Sequence, residues 1–247
     1  VDFTSGVLPE AIGQLYVAKY FPPESKAKAK AMVEDIIKAF DKRIDALAWM
    51  TPATKKKAHE KVATLKVGVG YPDVWRDYTK LEVKPDDLLG NAQRASLFDT
   101  QYALSKLGKA PDRGEWWMVP QEVNAVNLPL QNAMNFPAAI LQPPYFDPNR
   151  EPLLNYGAIG AVIGHEITHS FDNLGAEFDA QGKLANWWTK EDSDHFAKAG
   201  AKLIAQYDAY EPLPGAKVNG KMTLAENIAD VAGLAAAYDA YKLSVKA

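Results

Sequence analysis

The stretch Ile159-Gly160-Ala161-Val162-Ile163-Gly164-His165-Glu166-Ile167-Thr168-His169 is the part of this 247-residue chain that decides the rest. Ile159, Val162, Ile163 and Ile167 recur at helical spacing and predict the buried side of a helix over about Tyr156 to Asn173. Residues four apart on a helix differ by about 40° in azimuth, so the imidazoles of His165 and His169 leave the same face. Two neutral imidazoles at that spacing suit a tetrahedral zinc ion. Glu166 lies on the flank of that face, where a carboxylate reaches a water at the metal without ligating the metal itself. That is the position a general base needs. The plainer alternative is a helix edged by two structural histidines. It leaves two histidines and a glutamate against an apolar helix with no partner, which is costly.

Two imidazoles do not make a site; a catalytic zinc needs a third protein ligand and an open position. The chain has four histidines and no cysteine, which excludes disulfides, thiolate zinc sites and a cysteine nucleophile. His195 lies in a charged helix and His59 in a lysine-rich one. The better source is Thr223-Leu224-Ala225-Glu226-Asn227-Ile228-Ala229-Asp230. Glu226 and Asp230 are four apart, so one carboxylate can ligate while the other accepts the free ring N–H of a ligating histidine. Thr223 and Glu226 also read as a capping box. Asp230 has no capping role, and Ala229, Ala232, Gly233, Ala235 and Ala236 make a slim helix able to approach another backbone closely.

Hydrophobic residues are 47% of the chain and charged residues 24%, enough apolar material for a sizeable core. The net charge of −3 gives no reason to expect a nucleic-acid partner. No apolar run is long enough for a membrane span. The lysine-rich stretches Lys26 to Lys30 and Lys55 to Lys61 read as solvated helix faces, with acids nearby and no aromatics for base stacking. The chain starts at Val1, and its last residues, to Ala247, still read as helix. It is expected to be a piece of a longer protein.

Upstream, helices are expected over Pro9 to Tyr20, Glu24 to Met50, Pro52 to Leu65 and Pro85 to Leu104. Lys66 to Val83 reads as irregular, broken by Gly68, Gly70 and Pro72. Gly108 to Glu115 is a polar connector. Trp116 to Asn127 predicts an edge strand interrupted by Pro120. Phe136 to Pro148, with four prolines, predicts extended loop. Lys190 to Tyr210 and Leu224 to Tyr241 predict two further helices.

Several separate motifs, in order, resemble the neprilysin-like zinc metallopeptidases, a family that includes the endothelin-converting enzymes and many bacterial endopeptidases. They are Val123-Asn124-Ala125, Phe136-Pro137-Ala138-Ala139-Ile140-Leu141-Gln142-Pro143-Pro144, Leu154-Asn155-Tyr156-Gly157, Gly164 to His169, Asn186-Trp187-Trp188-Thr189 and Glu226 to Asp230. The resemblance implies an α+β fold, mainly α: a thermolysin-like zinc core with an edge-strand substrate site, plus helices of a second all-α domain. Residues 1–110 would belong partly to that helical roof, and residues 111–247 to the catalytic region, incomplete at its C-terminus.

The resemblance also implies roles. His165, His169 and Glu226 match the ligands of one zinc per chain. Glu166 matches the general base, and Asp230 the other carboxylate counted with the catalytic group. Asp230 and Asp172 match the carboxylates that orient the ligating histidines. Asn124 and Ala125 match a pair that binds substrate backbone as an added strand. Ile140, Tyr145 and Val162 match the apolar pocket for the residue after the cleaved bond. Two departures stand out: Val126-Asn127 replace the family's usual aromatics, and the chain ends before the family's downstream His and Arg. The function implied is a zinc endopeptidase acting on oligopeptides outside the cytoplasm. Alternatives are a zinc-holding piece that turns over only with the remaining segments of the full-length protein, or an aminopeptidase. No upstream glutamate cluster supports the last.

Overall fold

The computed structural model describes residues 6–245. The N-terminal part of the described residues carries the helices α1 (Pro9–Tyr20), α2 (Pro23–Ala46) and α3 (Pro52–Ala63). Each has a proline in its first turn, where the missing N–H costs nothing and the fixed φ already suits a helix. On α2 the periodic positions Met32, Val33, Ile36, Phe40 and Ile44 are buried and form one side of the core.

Strand β1 (Lys66–Gly70) follows, then α4 (Leu88–Leu104), β2 (Val126–Leu128) and β3 (Ala133–Pro137). They form one three-stranded sheet in the order β1-β3-β2. β1 runs parallel to β3, with Lys66 opposite Ala133 and Gly70 opposite Pro137; β2 runs antiparallel, with Val126 opposite Asn135. The central strand is buried along its whole length. β1 corrects the expectation of an irregular 66–83: its glycines are tolerated because β3 supplies the pairing. The edge strand expected over Trp116 to Asn127 is confined to β2, and Phe136 and Pro137 end β3 rather than starting a loop.

The remaining helices are α5 (Pro152–Gly157), α6 (Ile159–His169), α7 (Lys190–Asp208) and α8 (Leu224–Ser244). The single helix expected over 156–173 is interrupted at Ala158 (φ −104°, ψ −92°). There the Ile159 N–H turns to the Tyr145 carbonyl at 3.2 Å, so a loop takes over the first donor of α6. The helical reading of the C-terminus holds to Ser244; residues 246 and 247 lie outside the described residues.

α6 lies in the middle of the molecule, with Ile159, Ile163 and Ile167 fully buried. α8 turns a stripe of Ala225, Ala229, Gly233, Ala236 and Ala240 inward. Gly164 and Gly233 meet backbone to backbone: a Cβ on either would overlap the other helix. The slim face read from the sequence is thus what allows α8 to lie directly on α6. A second fastening ties α7 to α3. Buried Asp192 accepts from Thr51 N–H (2.9 Å), Thr51 Oγ1 (2.6 Å), Thr54 Oγ1 (2.5 Å) and Thr189 Oγ1 (2.6 Å). Burial alone would raise its pKa; the hydroxyl and amide donors outweigh it and hold the carboxyl at about 2.

Candidate metal centre

His165 and His169 leave α6 on one face, as their spacing requires. Their rings are perpendicular, with centroids 4.4 Å apart. Each Nδ1 is held by its own carboxylate: His165 by Asp230 Oδ1 at 2.8 Å, His169 by Asp172 Oδ2 at 2.6 Å. A ring whose Nδ1–H donates to a carboxylate presents a lone pair at Nε2. Both Nε2 atoms face the same oxygen, Glu226 Oε2, at 3.3 Å and 3.5 Å. The three ligand atoms lie within 4.8 Å of one another. Two imidazole nitrogens and one carboxylate oxygen, converging with their far sides already engaged, fit zinc.

Glu226 is free for this because the capping box does not form. Thr223 precedes α8 but caps nothing with its side chain. Its hydroxyl donates to the Asn219 carbonyl at 3.2 Å and accepts from Asn227 Nδ2 at 2.8 Å. Glu166 is buried beside the group at 7% exposure. Burial pushes its carboxyl above the usual range, with the two imidazoles pulling back and Glu226 adding to the rise. For His169, burial disfavours the charged ring, but the Asp172 hydrogen bond and neighbouring carboxylates leave its pKa raised.

The two other histidines stand apart. His195 is exposed and stacks on Trp49, with centroids 4.7 Å apart. His59 is held between Asp41 (2.6 Å) and Asp45 (2.9 Å).

Asn124 is exposed and Ala125 buried, immediately before edge strand β2. Ile140 is buried in the core, Val162 packs against that core and Tyr145 is 41% exposed. Tyr145 is tied through its carbonyl to the start of α6, the helix that carries the two histidines.

The sequence reading missed Asn127 as a site residue. Its Nδ2 donates to the Glu166 carbonyl at 2.7 Å and to Ser170 Oγ at 2.8 Å, fastening the edge strand to the helix that carries the histidines. What stood as a departure from the family's aromatics is a bracket between sheet and helix. Lys61 was also misread. It is not part of a solvated face but 1% exposed, on the same side of α3 as Thr54, Ala58 and Val62. Their spacing of four, three and one was the available signal.

Residues 124–247 match the C-terminal model of peptidase family M13, and residues 1–72 match that family's N-terminal model. A neutral endopeptidase from Lactobacillus helveticus is 40% identical over 240 residues, covering 96% of this chain and 37% of that protein. Human endothelin-converting enzyme 1 is 39% identical over 256 residues, covering 100% of this chain and 33% of that protein. Among solved structures, an inhibitor complex of the zinc metalloprotease ZMP1 of Mycobacterium tuberculosis superposes with a TM-score of 0.89. Its identity is 44%, over 98% of this chain and 37% of that one. The chain spans between 31% and 42% of the length of the first three curated relatives. Both family models, the fold and the order of the motifs agree: the chain belongs to peptidase family M13.

Proposed function

We propose that this chain is the zinc-holding part of an endopeptidase that hydrolyses oligopeptides. The observation that carries the reading is the convergence of His165 Nε2 and His169 Nε2 on Glu226 Oε2, with each Nδ1 engaged by a separate aspartate. His165, His169 and Glu226 are the ligands in this reading, and Asp230 and Asp172 fix the tautomer and aim of the two rings. Zinc bound there supplies the charge that acidifies water and polarises a peptide carbonyl. Glu166 takes the proton from the attacking water and delivers it to the amide nitrogen that leaves; its raised pKa brings it toward the range where a carboxyl both accepts and returns a proton.

The substrate backbone adds to the free side of β2 near Asn124 and Ala125, since β2 pairs with β3 on its other side. Asn127 keeps that edge beside Glu166. Ile140, Tyr145 and Val162 make the apolar subsite after the cleaved bond, favouring bulky apolar residues there. Residues 1–110 belong partly to a helical roof and its connector, and residues 111–247 to the catalytic region, incomplete at its C-terminus. Work outside the cytoplasm is part of the same proposal and rests on family membership; among the described residues no helix is long and apolar enough to cross a membrane.

The chain's limited span of its relatives favours one second reading, in which the centre holds zinc but turnover needs the rest of the protein. One experiment separates them. A mixture of unstructured peptides is incubated with this chain and with the longer protein, with and without chelator, and products are read by mass spectrometry. Internal cuts before bulky apolar residues, lost with chelator and restored by zinc, support the endopeptidase. Glu166→Gln is expected to keep one zinc per chain and lose on the order of 10²- to 10⁴-fold in turnover. Cuts only by the longer protein support the second reading. Zinc-free protein or single-residue trimming refutes the first.

A further inference from the structure

Lys61 is the largest fully buried charged side chain described, and the proposed reaction does not use it. Its ammonium donates to three backbone carbonyls: Ser170 at 2.6 Å, Gly175 at 2.8 Å and Phe178 at 2.6 Å. Those carbonyls belong to one connecting loop, which begins where α6 ends at His169 and contains a single 3-10 turn at Gly175–Glu177. Ser170 is the C-cap of α6, where helical carbonyls lack partners and the helix dipole favours a cation. An ammonium with three donors satisfies all three oxygens from one point, and the Phe171 ring faces it 5.5 Å away.

The loop so gathered carries Asp172. Its Oδ1 accepts from Leu174 N–H and Gly175 N–H, both at 2.8 Å, and its Oδ2 engages His169 Nδ1. Gly175 sits so close under the helix end that a Cβ there would overlap the His169 carbonyl. The contacts therefore run from Lys61 Nζ to the Gly175 and Ser170 carbonyls, through the turn that clasps Asp172, to the ring of His169.

From this geometry we infer that Lys61 is a positioning residue for the metal centre: it fixes the loop that lets Asp172 hold His169. The inference rests on the reading of His169 as a zinc ligand. It assigns a role in the centre to a helix more than a hundred positions upstream.

The test measures zinc affinity of the loaded protein by competition with a chelator of known affinity, alongside its melting temperature. Lys61→Met removes the charge at similar length. Lys61→Arg keeps the charge, and its planar fork cannot gather three carbonyls at one point. Removing the partner behind a ligating histidine costs about 10- to 100-fold in metal affinity. Lys61→Arg is therefore expected to fold and to lose about 10-fold. Adding it to Asp172→Asn is expected to cost little more, because both changes release the same ring.

Wild-type affinity in Lys61→Arg overturns the inference. So does a loss that simply multiplies with that of Asp172→Asn, or a Lys61→Met protein that melts lower yet binds zinc normally. If Lys61→Met does not fold, the Lys61→Arg cycle decides. A wild-type protein that binds no zinc refutes the underlying functional reading instead.

Discussion

The two histidines of the centre are aimed by unlike means. On the His169 side the orienting carboxylate comes from three residues further along the chain. The Asp172 side chain is 2% exposed, bonded to two backbone amides and enclosed by the loop around Lys61. On the His165 side the orienting carboxylate, Asp230, comes from another helix, which also carries Glu226, the carboxylate that faces both rings. Glu226 and Asp230 have side chains 64% and 70% exposed, and only the contact of α8 with α6 brings them in. The aim of one ring is therefore built into a loop, while the aim of the other, and the carboxylate that faces both, exist only while two helices stay docked. A buried, locally fixed carboxylate resists solvent and drift; an exposed, distantly fixed one depends on the packing that presents it.

The largest effect should come from breaking that docking. Gly233→Val pushes a branched side chain into the backbone at Gly164 and His165. Forced overpacking costs typically about 1–3 kcal/mol, more where backbone blocks the way. Purified protein is expected to carry almost no zinc and to melt lower; stoichiometric metal in this variant would show that the exposed half needs no close helix contact.

The next test weighs the two aspartates directly. Asp172→Asn should lose roughly 100-fold in zinc affinity and Asp230→Asn roughly 10-fold, the two ends of the range for such partners. Only the buried change should also lower stability, by about 1–3 kcal/mol. Equal losses in a chelator titration would erase the contrast between the two sides.

The smallest effect concerns the buried fastening at Asp192, away from the metal. Its folded pKa of about 2 lies below the ordinary value of 3.8, so its stabilisation is present above that value and is lost as pH falls through about 2. Thermal melts from pH 5 to pH 2 should show wild type losing stability relative to Asp192→Asn. Parallel curves would contradict the depressed carboxyl.

These contrasts also mark what the sequence disclosed. His165, Glu166 and His169 were legible because helical spacing is local. The slim face of α8 was legible because small residues repeat along one stripe. Glu226 was ambiguous between cap and ligand, because only tertiary structure brings His165 and His169 of α6 against its carboxylate. β1 was hidden: Lys66-Val67-Gly68-Val69-Gly70 has weak strand propensity, and its partner β3 lies 67 residues further on. The break at Ala158 was hidden as well, since it depends on the Tyr145 carbonyl. Lys61 was obscured by its company, as three lysines just before it in the chain are partly or fully solvated.

The reach of Lys61 has a consequence for how the molecule is made. Its acceptor at Phe178 is encoded 117 residues later. On a ribosome adding about 5–20 residues per second, that interval lasts roughly 6–23 s. Throughout it, α3 has emerged while the oxygens that complete its inner face have not. A nascent chain of this kind holds a charged group beside Ala58 and Val62 until α6 and the loop after it arrive. The same ammonium that later closes the loop is thus expected, during synthesis, to oppose burial of that face, since an unpaired charge is costly to bury.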